Sequence, residues 1–194
     1  MELQKAEGIA IAISNYLKDY CDKIYIAGSI RRRKYEVKDI EIVLLPKRVA
    51  HQDLFGGIIS TPVIMEFKSR IENVGNVIKG VADGRMMQIQ LEQGIMVDVF
   101  MPVADDFYRQ YAIRTGSSFY AHNVIAGGWL AIGWCGSDIG LRRQEDCVRH
   151  KDKSGKNKWI CINKNGELPP VWKSEEEFFD WIKVKFIHPS RRDI

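Results

Sequence analysis

Three carboxylates set inside otherwise apolar, β-branched sequence constrain this chain more than any other feature. Asp39 and Glu41 stand in Lys38-Asp39-Ile40-Glu41-Ile42-Val43, and Asp98 stands alone in Ile95-Met96-Val97-Asp98-Val99-Phe100. Both runs read as strands, the first from about Asp39 to Leu45. Side chains alternate faces along a strand, so Asp39 and Glu41 share one face while Ile40, Ile42 and Leu44 enter the core from the other. Two carboxylates so close repel each other unless a cation lies between them. A carboxylate alone in an apolar run is costly to bury unpaired. If the two strands are neighbours, the three acids form one set of hard oxygen donors, the kind that Mg²⁺ takes together with phosphates and water.

The sequence before Asp39 supplies the complementary parts. Lys23 to Ala27 is short, β-branched and aromatic and reads as a strand. Gly28-Ser29 ends it in a turn whose backbone N–H groups can face an anion. Arg31-Arg32-Arg33 follows. An acid-x-acid pair or an arginine run alone usually marks a solvated surface. The joint order (strand, Gly-Ser turn, arginines, paired acids on the next strand) implies a phosphate cradle, a cationic clamp and metal-binding carboxylates, the parts needed to transfer nucleotides.

The segment GSIRRRKYEVKDIE, residues 28–41, resembles the signature of the family X DNA polymerases, the group typified by DNA polymerase beta. Arg114-Thr115-Gly116-Ser117 is similar to that family's segment at the palm–thumb junction. Leu168-Pro169-Pro170-Val171, the run Ser174 to Ile182 and Pro189 are similar to its thumb-closing region, so the likeness runs along nearly the whole chain. The resemblance implies an α+β fold: a nucleotidyltransferase palm over residues 1–112, a mixed β-sheet with helices on one side, and a small α/β thumb over 113–194. This is the minimal form of the small viral members. It implies a DNA-directed DNA polymerase that extends a primer 3′-hydroxyl by two-metal-ion catalysis in short-gap repair. Asp39, Glu41 and Asp98 would hold two Mg²⁺ ions, with Mn²⁺ able to substitute. Gly28, Ser29 and Arg32 would bind the triphosphate, and Arg114, Gly116 and Ser117 the nucleotide sugar and base. The implied partners are gapped or primer-template DNA and nucleoside triphosphates, with the protein a monomer.

The chain also departs from the family pattern. Glu41 stands where the family usually has Asp, and Lys38 replaces a glycine. Met96 stands where an arginine steadies the third carboxylate. Ile113-Arg114 replaces the aromatic pair that helps read the sugar, and Ala121 and Ile125 fall where polar residues meet the nascent base pair. These changes leave two alternatives open: transfer without a template, or to RNA or a small molecule, and a binding module with a decayed site.

With 194 residues, 45% of them hydrophobic, the chain is long enough for a sizeable core. A net charge of +4 is compatible with a polyanionic partner. No run of about 18 apolar residues reads as a membrane span. MELQKAEG is not a signal peptide, so the expected location is cytoplasmic or virus-associated. Cys21, Cys135, Cys147 and Cys161 read as reduced thiols; a zinc site from Cys147, His150 and Cys161 has loose spacing. No histidine sits in a nucleophile–base pattern.

Local patterns predict the remaining elements. Ile9, Ile13, Tyr16 and Leu17 fall on one face of a first helix. Residues 47–60 read as a surface connection ending near Gly56-Gly57, Thr61 to Phe67 as a strand or the end of one, and Phe67 to Gly80 as a helix that Gly75 argues against. Met86 to Gln93 and Ile95 to Met101 form a hairpin around Gly94. A helix covers 103–113, with Asp105 and Asp106 as helix-start acids rather than metal ligands, and another covers Ser117 to Ile132. Leu141 to Val148 and Trp159 to Asn163 are strands flanking the charged loop 151–158, whose cations, with those of 183–192, are candidates for phosphate contact. The five tryptophans read mainly as core, with an exposed one free to stack on a base. Ser174 and Glu177 form a capping box that opens the last helix, with Phe178, Trp181 and Ile182 on its apolar face.

Overall fold

The computed structural model describes residues 1–52, 57–152 and 154–193. The helices are α1 (Leu3–Leu17), α2 (Gly28–Arg31), α3 (Met65–Glu72), α4 (Phe107–Thr115), α5 (Ala126–Ala131) and α6 (Glu175–Trp181). The strands are β1 (Cys21–Ile26), β2 (Asp39–Pro46), β3 (His51–Gln52), β4 (Ile58–Ser60), β5 (Asn76–Gly80), β6 (Met86–Gln90), β7 (Met96–Phe100), β8 (Trp134–Ser137), β9 (Gly140–Arg143), β10 (Cys147–Lys151) and β11 (Asn157–Cys161). The fold is α+β.

The first sheet runs β1-β2-β7-β6-β5. Its pairings are antiparallel except β2 with β7, which is parallel. The alternation in β2 dictates how it is covered. Ile40, Ile42 and Leu44 are wholly buried and pack with Ala6, Ala10 and Leu17 of α1 and Phe67 and Ile71 of α3. The opposite face carries Val43 and Leu45, which pack with Phe107 of α4. α4 covers only that end, so Asp39 and Glu41, earlier on the same face, stay half-buried.

The second sheet runs β10-β11-β8-β9. Its core joins Trp129, Trp134, Trp172, Phe178 and Phe179, with Trp181 packed against it. The indole of Trp172 meets Phe178 edge-on at 5.0 Å. Packing is therefore the role of four tryptophans. Trp159 packs against a separate cluster of Cys135, Cys147 and Cys161 and lies under the guanidinium of Arg149.

Several local expectations are corrected. α1 buries Ala6, Ala10, Ile13 and Leu17, whereas Tyr16 is 38% exposed beneath Arg70. Two alanines let the helix axis approach the sheet closely, and that outweighs the larger side chains. Thr61 to Phe67 is no strand: Val63 makes one bridge to Arg48, and α3 starts at Met65. Phe67 and Ile71, four apart, are buried together on that helix. The helix does not reach Gly80, because β5 pairs with β6 instead. A side chain at Gly75 would press within 2.6 Å of the Gln90 carbonyl.

The connection 47–60 contains the β3–β4 hairpin; Gly56 of that reading and Lys153 of the charged loop lie outside the described residues. The Ser117 to Ile132 helix is a π-helical stretch, Tyr120–Ile125, followed by α5. Leu141 to Val148 divides into β9 and β10 at a 3₁₀ turn, Gln144–Asp146. β8, flanked by Gly133 and containing Gly136, gives too little β signal to be read locally. The zinc alternative fails as well. Cys147 and His150, three apart on β10, point to opposite faces, and burial pushes the neighbouring Cys135 thiol up to about 12.

One buried ion network joins the two halves. Glu175, at the start of α6, accepts from Arg31 at 2.8 Å and from Arg192 at 2.7 Å. Arg31 also donates to the Thr115 hydroxyl at 2.7 Å, and Arg192, with no exposed surface, donates to the Ile187 carbonyl. Burial pushes the Glu175 carboxyl up, but the two guanidiniums outweigh it and hold it below the usual range. Its stabilisation is therefore present at neutral pH and lost only in acid. Glu175→Ala strands two partly or wholly buried arginines, a loss of about 3–5 kcal/mol. Thermal unfolding at neutral pH should show a drop of roughly 10 °C.

Candidate active site

The register between β2 and β7 builds the site. Glu41 lies directly opposite Asp98 in the parallel pairing, and Asp39 opposite Met96. Partners in register project to the same face, and Asp39 is two residues from Glu41, so all three carboxylates stand on one face of the sheet. β6 then brings Gln88 opposite Asp98, and its amide donates to Asp98 Oδ1 at 2.9 Å. The Met86 to Gln90 alternation was legible in sequence, but the partner of Gln88 was not.

The Gly-Ser turn meets this face from the side of β1. Ala27 N–H donates to the Glu41 carbonyl at 2.8 Å, which pins the turn to β2. Gly28 has φ of +61°, and a Cβ there would collide with the Glu41 carboxylate. Glycine is therefore required both by its backbone and by the acid beside it. Ser29 Oγ is buried without a hydrogen-bond partner. Such an orphan is unfavourable unless something binds it.

The arginines have divided roles. Arg31 is spent on Glu175 and Thr115, and Arg33 pairs with Glu7 on the surface. Arg32 lies close enough to Glu41 and Asp39 to feel both charges, although burial is the larger influence on it. It donates to the carbonyls of Thr115 and Gly116 and pairs with Asp193 at 3.2 Å.

Arg114 sits 3.9 Å over the ring of Phe100, with Nε buried and unpartnered. Burial disfavours its charge most, while Glu41 and Asp98 favour it. Arg114 thus supplies positive charge beside the acids, in a strand pair whose Met96 supplies none. Gly116 packs too tightly against the Tyr120 ring for a side chain, and the Ser117 hydroxyl accepts from Tyr120 N–H at 3.1 Å. Asp105 and Asp106 line the same cleft as Asp98, and Asp106 is taken up by a double hydrogen bond with Arg109.

A cleft of about 1050 Å³ opens beside Asp98. Lys79, Arg85, Arg109, Arg114 and Arg142 line it together with Asp98, Asp105, Asp106 and Asp138, and the β8–β9 turn forms another wall.

The donors are all carboxylate oxygens, which suits Mg²⁺ or Mn²⁺. Among the described residues no three acidic, histidine or cysteine side chains close on a single point as a finished metal cage. Asp98 is turned to Gln88, and Glu41 to Gly28. The register sets the three carboxylates on one sheet face, the donor chemistry that a hard divalent cation takes.

Burial first, then Asp39 and Asp98, push Glu41 up to about 7, against the pull of Arg32 and Arg114. An acid raised in the folded state stabilises the protein only while protonated, so stability declines as pH climbs from about 4.5 through about 7. In chelator, Glu41→Gln should match the parent protein near pH 4.5 and exceed its melting temperature by roughly 2–4 °C at pH 8. Equal melting at both pH values would contradict the crowding of charge described here.

No protein-family model and no curated protein sequence matches the chain. Solved structures do. The chain is similar to Leishmania infantum polymerase beta in a ternary gap complex, with TM-score 0.68 and 16% identity over 100% of this chain and 71% of that one. The same polymerase in a ternary P/T complex gives TM-score 0.67 and 16% identity, over 100% of this chain and 77% of that one. At this identity the likeness shows the fold alone, a polymerase-beta-like α+β arrangement over the whole chain.

Proposed function

We propose that this protein is a nucleotidyltransferase that extends the 3′-hydroxyl of a DNA primer, acting as a DNA-directed polymerase of the family X type on short gaps. The observation that carries the reading is the Glu41–Asp98 pairing, with Asp39 on the same face, set against a Gly-Ser turn whose serine hydroxyl has no partner. The gap and P/T complexes of the similar polymerase support DNA as the partner. Residues 1–112 would be the palm and 113–194 the thumb.

Asp39, Glu41 and Asp98 would hold two Mg²⁺ ions, with Mn²⁺ able to substitute. When bound, the ions lower the pKa of the attacking hydroxyl and neutralise charge on the leaving pyrophosphate. The chain does the rest. The turn at Gly28 and the Ser29 hydroxyl would accept the triphosphate. Arg32 would meet its negative charge after exchanging Asp193 for phosphate. Arg114 would steady Glu41 and Asp98 from the cleft side, and Gln88 fixes the Asp98 carboxylate. Gly116 and Ser117, on the strand-like exit from α4, would border the sugar.

Gapped-DNA extension in Mg²⁺ and in Mn²⁺, with deoxy- and ribonucleotides, tests the proposal. Asp98→Ala should lower incorporation more than about a hundredfold, beyond the usual cost of losing a supporting residue, while duplex binding persists. Near-normal incorporation would reject the site. Gln88→Met should raise the Mg²⁺ concentration for half-maximal rate by about tenfold. Omitting the template separates the readings: equal extension without it would reject template direction and favour transfer to another acceptor.

A further inference from the structure

The chain's net charge is +4, from 29 lysines and arginines against 25 acids. The segment 147–161 contains Arg149, Lys151, Lys153, Lys156 and Lys158 against one acid, Asp152, so it also carries +4. The remainder of the molecule is neutral. The whole excess therefore lies in this one stretch of sequence, whose described residues include the antiparallel ribbon β10–β11.

The ribbon's geometry arranges that charge. Arg149 pairs in register with Trp159, and Lys151 with Asn157, on one face. Two residues apart on a strand, Arg149 and Lys151 stand roughly 7 Å from each other, comparable to the spacing of successive backbone phosphates. Asp152 does not neutralise them: it is held by the turn, accepting from Ser154 and Lys156 N–H groups, and it pairs with Lys158 at 2.9 Å. Arg149, Lys151 and Lys156 have no carboxylate partner among the described residues. β10 is the outer edge of its sheet, and its last four residues are exposed. Edge strands often carry a lysine or two to prevent pairing with other chains, but that need does not gather a protein's entire excess charge.

The ribbon also adjoins the cleft. Trp159 pairs with Ser137, and Asp138 N–H donates to the Trp159 carbonyl; Ser137 and Asp138 both line the cleft.

We propose that the β10–β11 ribbon is a docking rail for the phosphate backbone of duplex DNA, gripping it outside the cleft without reading bases. The partner class rests on the proposed function. Duplex rather than single strand follows from Trp159: its ring packs against the Cys135–Cys147–Cys161 cluster and carries the Arg149 guanidinium at 4.8 Å, so the indole is already engaged and is a poor platform for a splayed base.

The test is equilibrium binding of a blunt DNA duplex, and separately of a single strand, between about 50 and 200 mM salt. Arg149→Ala/Lys151→Ala/Lys156→Ala should weaken duplex binding about tenfold or more at low salt. It should also flatten the log–log salt slope by about 2–3, near 0.9 per lost phosphate contact. Lys151→Gln/Lys156→Gln, which spares the Arg149–Trp159 contact, should flatten it by about 2 with an unchanged melting temperature. Unchanged duplex slopes in both variants would overturn the proposal, as would a loss confined to the single strand. Asp98→Ala must keep the parental slope. A protein with no transferase activity whose ribbon variants still lose duplex affinity would reject the proposed reaction and support the rail.

Discussion

The side-by-side pairing of β2 with β7 is the constraint on which the rest of the structure depends. It sets Glu41 against Asp98, with Asp39 two residues along, and so concentrates negative charge on one half-buried face. Much of the surroundings answers that charge. Gly28 is a glycine because the Glu41 carboxylate occupies the space of its side chain. Gln88 donates to Asp98, and Arg32 and Arg114 approach from either side. The acids cost folding energy in the free protein, as the raised Glu41 shows. Sites that perform chemistry are where proteins retain such unfavourable groupings.

The second organising interaction is the Arg31–Glu175–Arg192 network. Arg31 belongs to the turn that cradles the acids, Glu175 to the last helix, and Arg192 to the tail. Arg31 and Arg32 are adjacent in sequence yet do different work. The first is buried into a joint between the two lobes, and the second faces Glu41, Thr115 and Gly116. The joint holds the Gly-Ser turn against Thr115, so the cleft between the sheets has a defined hinge side. Separating the lobes would expose two guanidiniums and a carboxylate together, and this makes the arrangement cooperative.

Charge is distributed unevenly between the lobes. The first sheet carries the three clustered acids; the second ends in a ribbon whose cations have few internal partners among the described residues. A cleft of mixed charge, lined by Lys79, Arg85, Arg114 and Arg142 and by Asp98, Asp105 and Asp138, opens beside Asp98. In the proposed reading, acids at one end and the cationic ribbon at the other suit a polyanion whose end is positioned while its length is held.

Much of this was legible in the linear chain. Alternation in 39–45 and 95–100 predicted two strands, and the period of two put Asp39 and Glu41 on one face, because strand geometry is local. Glycine at position 28 and the Ser174–Glu177 cap were likewise readable, and the cap forms with Glu177 N–H donating to Ser174 Oγ at 3.1 Å. Where two local patterns compete, as from Thr61 to Gly80, sequence could not decide between helix and strand, since pairing with β6 outweighs propensity. What sequence by itself determined was which residues bear charge on which face of their own element. Only the tertiary structure decided which faces meet: that β7 lies parallel to β2, that Gln88 reaches Asp98, that Arg114 attends the acids, and that Arg31 is spent on Glu175. Those outcomes depend on contacts between residues 10 to 144 positions apart, and no local propensity encodes a partner at such a distance.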